Sequence, residues 1–391
     1  VSPKKLITHS FDFSNGLKAY DLLQGKTDER YLGIVLNYPK DEYLNSHSNI
    51  IQLRGAQEKF DGKICLGFIG AGNFTKAMIL PMIKSMQNFE PFGLSTASGI
   101  SARETGKKYD FNFITTNDEE LINNESINAV VITTPHNDHA PKVISALKAG
   151  KSVFVEKPLC INNEELNEIM TTIKEAEPLP LLQVGFNRRF SPFVQKIKEN
   201  LADDETIAMN YRVNAGVIPK EHWVQNKEIG GGRIIGEICH FIDTCSFLCG
   251  GHVKKVYATC AQSQDSSIPS EDNIIISLEY NDGSIANITY MAYGNQLMPK
   301  ESLEVFAGGR AFHLDDFRKL TSYTQKGMKK DKDYNQDKGF KAEFEAFERA
   351  LREGRQAIEI DSIYNTTLTT FKIQESLRTG NSVLINANED F

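Results

Sequence analysis

The sequence predicts an α/β protein in which a doubly wound parallel sheet is followed by a second α/β domain built on a mainly antiparallel sheet. Three observations predict it. Between residues 63 and 186, short continuous apolar runs alternate with helix-patterned segments, as expected for parallel strands covered on both faces. A glycine-rich turn, Gly70-Ala71-Gly72-Asn73-Phe74-Thr75, joins the first run to the first helix. Beyond residue 186 the runs alternate apolar and polar residues, and two of them flank Asn281-Asp282-Gly283, a hairpin turn.

The elements follow in order. Strands are expected at Ile64 to Ile69, Pro91 to Thr96, Ala129 to Thr134, Ser152 to Val155 and Leu181 to Val184. Helices are expected at Phe74 to Met86, where Pro81 introduces a kink, and at Ser101 to Tyr109, Ala140 to Ala149 and Asn163 to Glu175. The second region reads as strand Ile207 to Asn214, helix Arg233 to Leu248, then strands Val253 to Ala261, Asn273 to Tyr280, Ser284 to Tyr293 and onward to about Tyr323. Lys326 to Lys338 reads as a charged, solvated loop, and two helices follow, Lys341 to Glu353 and Ser362 to Thr379. Residues 1 to 45 form a small unit of their own: a strand near Leu6 to Phe11, a helix from Ser14 to Leu23 with Ser14 as N-cap, and a strand from Tyr31 to Asn37. Residues 40 to 60 read as loop with short helix.

The 391 residues exceed what one core usually spans, so three pieces are expected: 1–45, 61–186 and 187–391. The net charge of -7 leaves no basic excess to neutralise nucleic-acid phosphates. The apolar runs fall short of a membrane span, and no leader pattern opens the chain. Six cysteines without a C-x-x-C pair fit a reducing cytoplasm and buried thiols. The chain opens on Val1 and runs straight into strand pattern, which suggests a piece of a longer polypeptide.

The glycine turn lies between a strand and a helix, the context in which such a pattern marks a dinucleotide site. Gly70 permits the tight turn, Gly72 lets a pyrophosphate approach the backbone, and the helix start after Asn73 and Phe74 offers free N–H groups. Thr75 replaces the third glycine, which the fold accommodates if the helix stands off the strand. The second strand ends in Thr96-Ala97-Ser98 with no acid for the ribose hydroxyls, and Arg103 follows on the next helix. A neutral Ser98 beside Arg103 favours NADP slightly over NAD; the other reading of Arg103 is a solvated helix residue.

Gly70-Ala71-Gly72-Asn73-Phe74, Thr134-Pro135 with His139, Glu156-Lys157-Pro158, and Gly230-Gly231-Gly232 followed by His240 and Asp243 occur in that order. The set resembles the glucose–fructose oxidoreductase/inositol dehydrogenase (Gfo/Idh/MocA) family over residues 63 to 385. The resemblance implies a Rossmann domain followed by a large open sheet through which dimers or tetramers form. It also implies NAD(P)-dependent oxidation or reduction of sugars, cyclitols and nucleotide sugars. The first 40 residues, with Ile7-Thr8-His9-Ser10-Phe11 and Gly33-Ile34-Val35-Leu36-Asn37-Tyr38-Pro39, look like the tail of a zinc-type alcohol dehydrogenase, which implies a two-enzyme fusion.

The resemblance implies that Lys157 faces the reacting carbon. A lysine there can polarise the oxygen as a cation, or exchange a proton. His240 is the expected proton acceptor. Thr134, Pro135, His139, Glu156 and Lys157 are expected around the cofactor, with His136 and Asn137 bordering it. Many relatives carry Asp one turn before the histidine. This chain has Gly236 there, with Glu237 about 100° off that face by helix geometry. Glu237 is nevertheless a candidate substrate contact. Asp243 either orients His240 or serves as a structural partner. Arg188 either binds a substrate carboxylate or phosphate, or forms an interdomain salt bridge. Trp223, the only tryptophan, is a sugar-stacking wall or core. No ligand spacing supports a metal. Two rival readings remain: a glycoside hydrolase that uses NAD transiently, and a non-catalytic dinucleotide-binding module.

Overall fold

Val, Ile and Phe fill the short strands of the first half, and such strands must be covered on both faces. The computed structural model describes residues 3–38, 49–54, 62–202, 205–261 and 269–385. They fall into two units, Val1–Asn49 and Ile50–Phe391.

In the first unit, β1 (Ile7–Asp12) and β2 (Gly33–Asn37) pair in parallel, with the helix Gly16–Leu23 between them in sequence. The helix buries Ala19 and Leu22. Its N-cap is Asn15 rather than Ser14, and no side chain caps it.

The second unit holds two sheets. The first is seven-stranded: β3 (Ile51–Gln52), β4 (Ile64–Ile69), β5 (Phe89–Ser95), β6 (Phe113–Thr115), β7 (Ala129–Ile132), β8 (Ser152–Val155) and β9 (Leu182–Val184). Its spatial order is β3-β6-β5-β4-β7-β8-β9, and all pairs are parallel except β3 with β6. Omitting β3, this is the doubly wound order whose direction of winding reverses between β4 and β7, the point where such sheets bind ligands. The expected loop at 40 to 60 contains β3; residues 39–48 and 55–61 lie outside the described residues.

The second sheet is nine-stranded: β10 (Ala208–Asn214), β11 (Val253–Cys260), β12 (Asn273–Tyr280), β13 (Ile285–Met291), β14 (Glu301–Ala307), β15 (Arg310–Asp315), β16 (Lys319–Thr324), β17 (Gly327–Lys332) and β18 (Val383–Leu384). The order is β17-β16-β15-β14-β10-β13-β12-β11-β18, with only β10 and β13 parallel. The expected hairpin forms between β12 and β13. Residues 327–332 are an edge strand and not a loop. Lys329, Lys330 and Lys332 give that edge the charge that discourages pairing with another chain.

Both helices that position the site contain a widened turn. After the glycine turn comes a π turn, Thr75–Ile79, before the α-helix Leu80–Ser85. Pro81 falls at the start of that α segment, where it has no amide proton to give the ladder, so the expected kink takes the form of a π turn. The helix carrying His240 likewise opens with a π turn, Ile234–Ile238, before Cys239–Cys249.

The helix Phe340–Glu353 leaves the second sheet and packs on the first. Phe344 stacks on Phe154 of β8 at 4.3 Å and meets Phe89 edge-on, with Phe347 beside them. This late helix therefore completes the cover of the parallel sheet. Phe344→Ala is expected to cost about 3–5 kcal/mol, read as a lowered midpoint in urea unfolding with an unchanged slope.

Candidate active site

The parallel strands end at one edge of their sheet, and the turns that follow them line a cavity of about 1070 Å³. Its wall runs from the glycine turn through Ser98 and Thr134 to Lys157, His240 and Trp223.

At one end, Gly70 adopts φ +93°, and a Cβ there would stand 2.9 Å from the Thr133 carbonyl carbon. Only glycine suits that conformation and that approach. Gly72 has open space where a side chain would be, so its backbone is bare towards the cavity. Thr75, in place of a third glycine, is buried and donates to Thr133 Oγ1 at 2.8 Å, and Thr133 Oγ1 donates to the Gly70 carbonyl at 3.1 Å. Two hydroxyls thus tie the helix start to the strand edge. The neutral end of β5 is also on the cavity wall. The acid nearby is Asp118, which accepts from Ser95 Oγ at 2.5 Å and pairs with Lys142 at 3.1 Å. Sequence reasoning did not find it, because it opens a short helix, Asp118–Ile122, that the sequence pattern did not announce. Arg103 is exposed and is not among the lining residues, so its expected place beside the ribose is corrected to a solvated helix position.

At the other end, Lys157 follows β8, and its Nζ donates to the Gly236 carbonyl at 2.7 Å. A π turn widens the ladder to i→i+5, which frees carbonyl capacity there for this ammonium. His139 locks the neighbouring turns, its ring nitrogens lying 2.6 Å and 3.0 Å from the Pro158 and Thr134 carbonyls. His240 faces the same cavity. Burial first, then Arg188 and Lys157, hold its imidazole well below the usual histidine range, so it is neutral. Its Nδ1 is enclosed without a partner among the described residues. Trp223 stands on the wall, half-exposed, and is not core.

Three expected substrate contacts are redirected. Arg188 lines the cavity, but its guanidinium grips Glu301 with two hydrogen bonds, at 2.8 Å and 2.9 Å. Tyr211 and Lys338 complete that carboxylate at 2.8 Å and 2.7 Å. Burial opposes the charge on Glu301, yet Arg188 and Lys338 bring its pKa down to about 2. Asp243 is fully buried against Arg189 and does not orient His240. Glu237 does not line the cavity; Arg233, Lys300 and Tyr290 claim its carboxylate. Burial works against that charge too, but Lys300 and Arg233 hold it well below the carboxylate range.

Lys338 is a lining residue that sequence reasoning missed. It read as part of a solvated loop, and no local pattern announces that the chain brings it into the wall that also holds His240. Glu156, also on the wall, sits near the buried Glu343. Burial raises the Glu156 pKa to about 7, while Lys157 works to lower it.

Comparison with known proteins agrees with this layout. Residues 64–186 match the profile of an oxidoreductase family with an NAD-binding Rossmann fold, and residues 205–307 match the GFO/IDH/MocA C-terminal domain. The chain is 31% identical over 225 residues to "Oxidoreductase P35" of Formosa agariphila, covering 53% of this chain and 67% of that one. It is 25% identical over 263 residues to a myo-inositol 2-dehydrogenase of Thermotoga maritima, covering 66% and 76%. A levoglucosan dehydrogenase solved with NADH and L-sorbose shares the fold, with a TM-score of 0.71 at 20% identity, covering 83% of this chain and 99% of that one.

Gly70→Ala is expected to weaken NADH binding at least about tenfold, measured by fluorescence titration. A carboxyl whose pKa is raised on folding stabilises the fold at low pH and loses that contribution as pH rises through about 7. Glu156→Gln is therefore expected to raise the melting temperature relative to the parent at pH 8 and to leave it unchanged near pH 4.

Proposed function

The chain belongs to the Gfo/Idh/MocA oxidoreductase family, and on that premise we propose that it transfers hydride between a nicotinamide dinucleotide and a carbinol carbon of a sugar, cyclitol or nucleotide sugar. One observation carries the reading: the phosphate-type glycine turn, the Lys157 ammonium and the His240 imidazole share a single cavity. The relatives named for inositol and levoglucosan support the substrate class.

The residues fit the cofactor. Gly72 leaves bare backbone where a side chain would obstruct a pyrophosphate, and the helix start beyond it supplies N–H groups. When bound, the nicotinamide ring supplies the hydride acceptor or donor. Gly70, Gly72, Asn73 and Phe74 would hold the phosphates, Ser98 the adenosine ribose, and Thr134 and Pro135 the inner end. Without a free acid at the end of β5, both NAD and NADP are compatible ligands.

The chemistry then divides between two side chains. Lys157 spends one N–H on Gly236 and keeps two to polarise the substrate oxygen. The neutral His240 accepts the hydroxyl proton at Nε2, the nitrogen left to face the cavity once Nδ1 is enclosed. Arg188 and Lys338, fixed on Glu301, bring positive charge near this imidazole and disfavour its protonation before substrate arrives. Trp223 offers an apolar face to a sugar ring.

Three finer readings accompany this one. Residues 1–45 are proposed to correspond to the tail of a zinc-type alcohol dehydrogenase; their parallel β1–β2 pair leaves Leu17 and Leu32 exposed, and parallel strands ordinarily have both faces covered. A homodimer or homotetramer is proposed through the nine-stranded sheet, where Tyr257, Ile275, Phe306 and Tyr323 are exposed. The free cysteines suit a reducing cytoplasm, and among the described residues no helix is long and apolar enough to cross a membrane.

Reduced-nicotinamide absorbance followed over a polyol panel tests the main reading. Lys157→Ala and His240→Ala are each expected to lower kcat at least about a hundredfold with dinucleotide affinity intact; full activity in either removes that residue from its role. Net hydrolysis of a glycoside without accumulated reduced cofactor would instead favour the transient-oxidation chemistry. Because His240 is held neutral, protonation of its imidazole is expected to cause no loss of kcat/KM between about pH 8 and pH 6. A pH–rate profile would read this.

A further inference from the structure

The pair Lys157 and His240 leaves another buried imidazole of the cavity without a task. His136 stands on the turn His136–Asp138 after β7, is only 6% exposed, and lines the cavity. Its Nδ1 lies 2.7 Å from the Gly230 carbonyl. A carbonyl oxygen can only accept, so Nδ1 carries the proton and Nε2 is a bare acceptor. Among the described residues nothing donates to Nε2. Burial and the Lys157 charge push the pKa of this imidazole down to about 3, which keeps that lone pair free near neutral pH.

The same edge of the ring meets the helix. A Cβ on Gly236 would stand 2.9 Å from His136 Cε1 and 3.3 Å from Nδ1. No side chain fits at 236 while the imidazole is there. The same residue's carbonyl anchors Lys157 Nζ at 2.7 Å, so ring and ammonium converge on one peptide unit. Trp223 holds the ring edge-on, with centroids 4.8 Å apart. The imidazole is thus fixed in tautomer by Gly230, in place by Gly236 and Trp223, and beside the ammonium assigned to the reacting oxygen.

Resting on the dehydrogenase reading above, we propose that His136 is a substrate-binding residue whose Nε2 accepts a hydrogen bond from the hydroxyl next to the one that Lys157 polarises, and that residue 236 is glycine to make room for its ring. The substrate class this selects is a vicinal polyol, as in a sugar ring or a cyclitol. A donor cation and a neutral acceptor side by side match two neighbouring hydroxyls, one losing its proton and one retaining it.

The test uses the full chain with myo-inositol or levoglucosan as probe, with NADH bound for the spectra and the oxidised dinucleotide as hydride acceptor for the kinetics. Long-range ¹H–¹⁵N spectra should show His136 as the Nδ1–H tautomer, not titrating between about pH 5.5 and 8.5, with Nε2 shifting when polyol is added. For a probe that the parent oxidises, His136→Ala should raise KM about 10- to 100-fold and change kcat less than about threefold. His136→Gln, which retains an acceptor oxygen, should recover part of the loss, and NADH affinity should not change. Gly236→Ala should lower the melting temperature in the parent and not in the His136→Ala background. An unchanged KM in His136→Ala, an Nε2–H tautomer, or an equal effect of Gly236→Ala in both backgrounds overturns the proposal. A parent that oxidises neither probe counts against the dehydrogenase reading; a silent Nε2 on adding both polyols then overturns this inference as well.

Discussion

The bond from Lys157 Nζ to the Gly236 carbonyl is the constraint on which the site depends. It joins the end of a parallel strand to the first turn of the helix carrying His240. A regular α-helix would commit that carbonyl to its own ladder; the π turn relaxes the commitment and so gives the ammonium a fixed acceptor. The lysine is then a directed donor and not a solvated tether. The absence of a side chain at 236 has the same origin, since the space is filled by His136. Gly236 therefore anchors the cation through its carbonyl and, lacking a side chain, leaves room for the second imidazole.

Beneath the cavity lie buried ions that would be costly alone. Arg188, Lys338 and Tyr211 converge on Glu301, and Arg189 is spent on Asp243. Removing one partner from such a pair typically costs about 3–5 kcal/mol because the other charge stays buried. Saturated in this way, the network has little left for a ligand. What it adds is rigidity and field: burial first, and then fixed positive charge that includes Arg188 and Lys338, hold the His240 imidazole well below the usual histidine range. Two histidines of opposite sequence context, His136 and His240, are thus kept in the same protonation state by the same means, burial followed by neighbouring cations.

The parallel half of the fold was legible in the sequence because its signal is local. Runs such as Ile64–Ile69 and Ala129–Ile132, and the Gly70–Thr75 turn, state their structure within six residues. The short β6 and the edge strand β17 were not legible. Three residues carry little periodicity, and a lysine-rich edge strand looks like a solvated loop until the neighbouring strand is known. Arg188, Asp243 and Glu237 were candidate ligands from residue type and position in the chain, with a structural pairing as the other reading of Arg188 and Asp243. Their partners, Glu301, Arg189 and Lys300, are close to them only in the folded chain, and once paired they are structural.

By itself the sequence pointed to the class of fold, the phosphate-type turn, and a lysine and a histidine that line one cavity. These follow from glycine's steric freedom, strand and helix periodicity, and the ordered motifs that carry the family resemblance. Only the tertiary structure decided which charged groups are free. It placed Lys338 in the wall, tied up Arg188, Asp243 and Glu237, left Arg103 in solvent, and seated His136 where residue 236 has no side chain. The physical reason is that a hydrogen bond or an ion pair is a distance between atoms. For these residues that distance is fixed by how two sheets and a helix from the far end of the chain pack together, which no local pattern encodes.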